Sequence, residues 1–235
     1  MGSVGKSFDF MEWRRQLHDK YNITIPIDVD NPMEDEPLVD LTASQRKQLE
    51  AVLDKIYKEF PELKQLPISL IYDDNMKDDP IAGYDLFNAL YISRKVFDES
   101  AYAEGLVQKW YAGVLTSFHP QGTRAIDSLS HEIGHGLVRF IARREAGAKY
   151  TDFDKTSGNW QVVYSNQVKD VAQRITDNAS KSLGTTYNNL VGHISHYATT
   201  NRDETIAEAV MDYMANKSSA NPYSIAIVKA LKQEL

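Results

Sequence analysis

The segment His131-Glu132-Ile133-Gly134-His135 carries two imidazoles and a carboxylate at the spacing of a metal-binding helix. Residues four apart on a helix lie on the same face, so His131 and His135 can bind one ion together. Glu132 projects beside them, where it can take a proton from a metal-bound water. A helix is predicted from about Thr123 to Ala146, with its apolar stripe on another side. The two imidazoles are therefore expected to face a cleft.

A catalytic zinc site needs a third protein ligand and one position left open for water. Val138 and Ile141 stand where the metzincin extension requires glycine and histidine, which excludes that class, and the chain contains no cysteine. The third ligand is therefore expected to be a carboxylate. The alternative is that two surface or capping histidines flank an unrelated glutamate.

The segment from Tyr197 to Ala209 supplies such a carboxylate. Thr200 or Asn201 is expected to cap a helix on which Glu204 and Glu208 lie one turn apart on a single face. Glu204 is a candidate metal ligand. Glu208 can accept a hydrogen bond from the far nitrogen of a ligand histidine, as zinc histidines usually require. The alternative is an exposed acidic face near a helix N-terminus, stabilised by the helix dipole.

Together, His131-Glu132-x-x-His135 and Glu204-x-x-x-Glu208 resemble the gluzincin pattern of thermolysin-like zinc metallopeptidases. The second segment is still more similar to the catalytic domain of anthrax lethal factor and to zincin domains of phage head and toxin proteins. In those domains a Tyr-Gly/Ala-x-Thr-Asn run precedes Glu-x-x-Ala-Glu-Ala. The firm matches lie between Asp127 and Tyr213. Ile206 departs from the pattern, because an aromatic residue often follows the ligand glutamate there.

This resemblance implies hydrolysis of a peptide bond at a Zn²⁺ ion bound by His131, His135 and Glu204. Glu132 would be the general base, and Glu208 would orient a ligand histidine. Zinc lowers the pKa of its bound water to about 7, which makes proton removal at neutral pH feasible. Tyr197 would stabilise the developing oxyanion together with the metal. The alternative for Tyr197 is a buried loop tyrosine whose hydroxyl has only structural partners.

The resemblance also implies how a protein or peptide substrate would bind. In zincins, a strand upstream of the metal helix runs along the cleft and pairs with extended substrate. The strand predicted at Ala89 to Ser93 is the candidate for that edge, by β-addition.

The pattern of elements predicts an α+β fold, because helices and a few strands are followed by helices only. The resemblance implies that this fold is zincin-like, with a small sheet, an active-site helix and a helical C-terminal subdomain in residues 66–235. Residues 1–65 are expected to be a helical extension with an acidic connector from Asp28 to Asp40. Strands are predicted at Ile23 to Val29, with Pro26 indicating a sheet edge, and at Ile68 to Tyr72 and Ala89 to Ser93. Besides the metal helix, helices are predicted over Phe10 to Tyr21, from Thr42 to Pro61, and over residues 100–117, 161–177, 202–215 and 222–235.

Composition and charge exclude several classes of partner. The chain has 235 residues, of which 42% are hydrophobic, as in an ordinary globular protein. Its net charge of −7 disfavours binding to nucleic acid. No apolar run approaches the roughly 20 residues that span a bilayer, and the N-terminus does not resemble a signal peptide. Neither nucleic acid nor membrane is therefore expected as a partner, and a cytoplasmic or virion-associated location is favoured.

The remaining histidines are interpreted as structural. His119, which precedes Pro120, is expected to end a helix. His193 and His196 are interpreted as loop residues, with His196 at the cleft beside Tyr197. His18 is expected on the surface of the first helix.

Two functions from different classes fit these features. The first is a zinc metalloendopeptidase of gluzincin type, with a toxin-like protease acting on one host protein as a special case. The second is a non-catalytic structural or interaction protein, such as a phage head component with a virion partner, that retains the zinc site as a folding staple. Glu132 favours the enzyme, because a purely structural site does not need a general base.

Overall fold

The computed structural model describes residues 9–26, 41–73, 82–85, 88–104, 109–111, 114–147 and 158–235. These residues form an α+β structure in which helices predominate. The helices are α1 (Phe10–Tyr21), α2 (Ala43–Glu59), α3 (Glu99–Glu104), α4 (Ser128–Glu145), α5 (Gly158–Ser182), α6 (Tyr187–Val191), α7 (Arg202–Asn216) and α8 (Pro222–Glu234). The strands are β1 (Ile23–Thr24), β2 (Ile68–Tyr72), β3 (Ala82–Tyr84), β4 (Ala89–Ile92), β5 (Lys109–Tyr111) and β6 (Val114–Thr116).

Four strands form one small mixed sheet in the order β1-β2-β4-β3. The strands β1, β2 and β4 run parallel, and β3 runs antiparallel to β4 with Gly83 opposite Tyr91. β1 lies at the edge, as Pro26 indicated, but it ends at Thr24 and is shorter than predicted. The predicted continuation to Val29 lies outside the described residues.

β4 is paired on both sides, which contradicts the prediction that Ala89 to Ser93 is a substrate-binding edge. Its neighbours are β2 and β3, so its backbone groups are already used within the sheet. The edge on this side is β3. This strand escaped prediction because it is only three residues long and has a glycine at its centre, and glycine is depleted in strands.

The helix predicted over residues 100–117 is wrong. α3 ends at Glu104, and β5 and β6 form an antiparallel pair in which Tyr111 lies opposite Val114. Both strands are rich in aromatic and β-branched residues, which favour strands. The helical spacing of apolar residues in this stretch arises by coincidence across three shorter elements, α3, β5 and β6.

Helix boundaries that depend on local capping chemistry are confirmed. The capping side chains predicted from the sequence are present at Thr42, Asn201 and Asn221. Gly147 follows α4 with a φ of 65°, a conformation that favours glycine at a helix end. α5 extends beyond the predicted residues 161–177 at both ends. Among the helices that the structure describes, none is both long and apolar enough to cross a membrane.

Side chains from both ends of the chain share one hydrophobic core. Leu17 of α1 and Ile56 of α2 are buried in the same cluster as Ile133 of α4 and Leu231 of α8. The sheet also includes β1, which precedes the predicted boundary at residue 65. The described part of the N-terminal segment therefore packs on the rest of the chain, and the division into two units stays a prediction. The acidic connector from Asp28 to Asp40 lies outside the described residues.

Glu59, the last residue of α2, connects this helix to the C-terminal part of the chain. Its carboxylate accepts hydrogen bonds from Lys217 Nζ at 2.9 Å and from Tyr213 Oη at 3.0 Å, and it pairs with Lys232. Burial alone would raise the pKa of this carboxyl, but Lys232 and Lys217 outweigh that effect and lower the pKa to about 2. The ionised carboxylate therefore stabilises the folded state.

We expect Glu59→Gln to unfold more easily than the wild type, by about 1–2 kcal/mol at neutral pH, since one charge of a partly exposed network is lost. The folded pKa is about 2 and the ordinary value is 4.5. The stabilisation is therefore complete above that ordinary value and is lost as pH falls towards the folded one. Urea unfolding at about pH 7 and about pH 3 measures the difference, which should shrink by half or more. An equal difference at both pH values would show that the charge of Glu59 is not responsible.

Two glycines allow α4 to pack closely, Gly136 against Tyr84 of β3 and Gly134 against Ala207 of α7. A Cβ atom at Gly136 would lie 3.0 Å from Cζ of Tyr84, and one at Gly134 would lie 2.7 Å from Cα of Ala207. The second separation is too short for any real Cβ atom, so α7 can approach this closely only when residue 134 is glycine. This approach brings the acidic residues of α7 to the histidines of α4.

We expect Gly134→Ala to weaken the zinc binding predicted for His131 and His135, since the added methyl must push α7 away from α4. Alanine favours a helix by about 1 kcal/mol over glycine, but overpacking costs about 1–3 kcal/mol. The melting temperature should therefore change little or fall, while the zinc dissociation constant should rise by about tenfold or more. Gly83→Ala is the matched control, because a Cβ at Gly83 has nothing within 4 Å. Unchanged zinc affinity in Gly134→Ala would contradict the role of this contact.

Candidate metal centre

The structure brings His131, His135 and Glu204 together, with one ligand atom from each lying within 4.8 Å of the others. Nε2 of His131 lies 3.1 Å from Oε2 of Glu204, and Nε2 of His135 lies 3.3 Å from the same oxygen. The histidine side chains are only 7% and 9% exposed. These two side chains are therefore more buried than the prediction of a cleft-facing helix surface implied.

The distances from the two histidine nitrogens to the carboxylate oxygen fit a tetrahedral metal ion. Ligand bonds of about 2.0–2.2 Å at tetrahedral angles place neighbouring donor atoms about 3.3 Å apart. The two contacts with Oε2 of Glu204 have this separation but do not have hydrogen-bond geometry, and within the described residues Oε2 has no hydrogen-bond partner. Two imidazole nitrogens and one carboxylate oxygen are a typical donor set for catalytic zinc.

The far nitrogen of each histidine is held by a carboxylate of α7. Nδ1 of His131 lies 2.7 Å from Oε1 of Glu208, and Nδ1 of His135 lies 2.8 Å from Oδ2 of Asp203. An ionised carboxylate can only accept, so each Nδ1 donates, and a neutral imidazole then presents its Nε2 lone pair to the metal position. Glu208 was predicted for this role. Asp203 was not, because an acidic residue in a first helical turn is common without any ligand.

Glu208 is completely buried and also accepts hydrogen bonds from outside the two motifs. Oγ of Ser195 donates to its Oε2 at 2.7 Å, and Nδ1 of His119 lies 2.9 Å from its Oε1. The interpretation of His119 as a helix terminator is wrong. No helix of the described residues ends there, and its ring stacks on Tyr102 at a centroid distance of 5.4 Å. His119 and Glu208 are 89 positions apart in the chain, so no local pattern indicated this contact.

Opposite charges dominate the electrostatics of the centre. Burial disfavours the charged form of His135, but Asp203 and Glu204 outweigh it and raise its pKa to about 9. Burial would also raise the pKa of Glu208, yet His119 and His131 lower it to about 2. His131 and His135 hold the pKa of Glu204 well below its usual value, against the effect of burial. The carboxylates are therefore ionised at neutral pH, and they stabilise positive charge at the centre, whether on the histidines or on a bound cation.

Tyr197 and Glu132 lie beside the three candidate ligands. Oη of Tyr197 is 3.5 Å from Oε1 of Glu204, and its ring is 5.8 Å from that of His131. Burial, reinforced by Glu204, raises the pKa of Tyr197 to about 12, so its phenol is a proton donor at neutral pH. Glu132 is 9% exposed, and its charge raises the pKa of both His131 and Tyr197. Tyr197 belongs to a short 3₁₀ turn, Tyr197–Thr199, and not to an open loop.

The other histidines lie in the kinds of element that the sequence predicted, His18 on a helix and His193 and His196 outside helices and strands. His18 is exposed on α1. The ring of His193 stacks on Tyr223 at 5.0 Å, and the ring of His196 lies 6.4 Å from Phe118. His196 directly precedes the turn that carries Tyr197.

Compared with known proteins, the chain matches no family model, no curated protein and no solved structure. The functional argument therefore depends on the site itself.

Proposed function

We propose that the chain is a zincin-like, zinc-dependent metallopeptidase that hydrolyses peptide bonds in a protein or peptide substrate. One observation carries the proposal: Nε2 of His131 and Nε2 of His135 lie 3.1 and 3.3 Å from Oε2 of Glu204, as donors on one tetrahedral ion would, while each Nδ1 is held by its own carboxylate. Such second-layer hydrogen bonds are a regular feature of zinc histidines. The general base, the phenol and the anionic charge then belong to one coherent site.

Each side chain has a definite task in this proposal. When bound, zinc supplies a Lewis acid and lowers the pKa of water to about 7. Glu132 accepts the proton from the attacking water and passes it to the leaving amine. Tyr197, which stays protonated at neutral pH, donates a hydrogen bond to the oxygen that becomes negative in the transition state. Glu208 and Asp203 keep the imidazoles in the ligand tautomer.

The edge strand next to α4 is the proposed docking position for substrate backbone. β3 has only one neighbour in the described sheet, and its Tyr84 packs against Gly136 of the metal helix. An extended peptide that pairs with β3 would therefore run beside the candidate centre. This assignment replaces β4, whose two sides are already paired.

The burial of the ligands favours a second function. Both histidine side chains are at least nine-tenths buried between α4 and α7, as expected if an ion serves to join two helices. A non-catalytic structural or interaction protein, including a virion component, would use zinc in this way. It would lose stability on chelation and would cleave no peptide.

Metal analysis followed by a cleavage assay tests the proposal. Protein purified without added metal should contain about one zinc per chain by mass spectrometry. It should cleave members of a quenched fluorescent peptide library, or one host or virion protein if recognition is narrow. Zinc with no cleavage of either substrate type would support the structural alternative. Absence of metal even after zinc is offered would refute both.

A further inference from the structure

A cavity of about 730 Å³ lies next to the metal centre, between α4, α5 and the N-terminal end of α7. Its lining includes three basic side chains, Arg139, Lys169 and Arg202, and one acidic side chain, Asp203. The chain as a whole has a net charge of −7, so the charge of the cavity lining is opposite in sign to that of the whole chain. Asp203 belongs to both features, because it lines the cavity and accepts the hydrogen bond from His135.

Arg139 is the cation whose charge is least satisfied. It lies one helical turn after His135 on α4, its side chain is 13% exposed, and its guanidinium stands 5.4 Å from the ring centre of Tyr84. Its Nε and Nη1 atoms are shielded from solvent and have no hydrogen-bond partner among the described residues. Its nearest carboxylate contact is Nη2 to Oδ2 of Asp203 at 3.9 Å, and that oxygen already accepts from His135 at 2.8 Å.

The other charged residues of the cavity do not remove this excess. Arg202 is paired with Asp177 at 2.8 Å and lies over the ring of Tyr187 at 4.1 Å. Oδ2 of Asp203 lies 2.8 Å from Nδ1 of His135 and 3.9 Å from Nη2 of Arg139, so its hydrogen bond is made to the histidine and not to the guanidinium. Lys169 is exposed on α5 at the rim. A buried guanidinium with unmade hydrogen bonds is costly, and a carboxylate is the ligand that best satisfies its forked donors.

We propose that this cavity binds a carboxylate group of the substrate and that Arg139 recognises it. The carboxylate has two sources in a peptide: a Glu or Asp side chain close to the scissile bond, or the free C-terminus. The consequence for cleavage specificity rests on the proposed peptidase function. The binding of the carboxylate does not, because it is a property of Arg139 and the cavity.

Binding of short peptides to the Glu132→Gln protein tests the site without hydrolysis. The probes are fluorescein-labelled alanine pentapeptides with amidated C-termini that carry Glu at one position each, with Gln-containing partners. An all-alanine pair with a free or an amidated C-terminus completes the set. Fluorescence anisotropy gives each dissociation constant. We expect at least one charged probe to bind about 10- to 100-fold more tightly than its neutral partner.

The variants Arg139→Gln and Arg15→Gln separate recognition from general charge. Arg15 is an exposed residue of α1, outside the cavity. We expect Arg139→Gln to bring the charged-to-neutral affinity ratio close to one and Arg15→Gln to leave it unchanged. Lys169→Gln, at an exposed position, should reduce the ratio less and is the second test if Arg139→Gln does not fold.

The outcomes assign the source of the carboxylate or overturn the site. Preference for an internal Glu identifies a side-chain subsite, and preference for the free C-terminus identifies a site for peptide ends. Equal binding of charged and neutral probes, or an equal fall of the ratio in Arg15→Gln, overturns the proposal. If charged probes bind selectively while the wild type cleaves nothing, the peptidase proposal fails and the carboxylate site stands.

Discussion

Glu132→Gln is expected to lower the rate of peptide hydrolysis by about 10²- to 10⁴-fold, the usual contribution of a positioned general base. The glutamine keeps the size of the side chain but cannot take a proton from water. Zinc content should remain close to that of the wild type, because Glu132 is not among the three converging ligands. The measurement is the initial rate on a quenched fluorescent peptide, together with zinc content by mass spectrometry.

The control for Glu132→Gln is Glu62→Gln, which removes the same charge from the short helix Pro61–Gln65, outside the metal centre. We expect this control to retain the wild-type rate. If Glu132→Gln kept wild-type activity, Glu132 would not be the base. If it lost zinc as well as activity, the side chain would have a structural role instead.

Glu204→Ala is expected to cause the largest loss of zinc affinity. Replacing a residue that only orients a ligand typically costs 10- to 100-fold in affinity, so removal of a ligand should exceed about 100-fold. The substitution also removes Oε2 of Glu204, the oxygen on which the Nε2 atoms of His131 and His135 converge. Competition with a chromophoric chelator measures the dissociation constant directly.

Zinc affinity is expected to fall in steps across three variants, with Glu204→Ala the weakest binder. Asp203→Asn keeps the shape of the side chain that holds His135 but removes its charge, so we expect an intermediate loss of about 10- to 100-fold. Glu62→Gln again serves as the control with unchanged affinity. Zinc should raise the melting temperature of the wild type and have little effect on Glu204→Ala, because only binding to the folded state stabilises it. Equal zinc affinity in wild type and Glu204→Ala would remove this residue from the ligand set.

The grouping of the candidate ligands within each motif could be predicted from the sequence because it depends on local spacing. His131 and His135 are separated by one helical turn, and so are Glu204 and Glu208. These relations hold on any α-helix, whatever surrounds it. The caps Asn201 and Asn221 and the stop at Gly147 were predictable for the same reason, because a cap binds backbone within its own helix.

Short elements were less predictable than long ones. β3 has three residues, and β5 and β6 have three each, so none offers enough positions for a periodicity of two to stand out. Their pairing depends on contacts with other strands. That β3 is an edge strand, and that β4 is not, could be obtained only from the assembled sheet.

The amino-acid sequence by itself determined the helix that carries the paired histidines, the helix that carries the paired glutamates and the types of candidate ligand, because each is a relation between residues within one turn. The tertiary structure decided which groups complete the site. Asp203 reaches His135, His119 reaches Glu208, and Nε and Nη1 of Arg139 are left without a hydrogen-bond partner among the described residues. These contacts join residues far apart in the chain, and they depend on how closely α7 packs against α4 at Gly134. Packing distance is a property of the folded chain, and no spacing in the sequence encodes it.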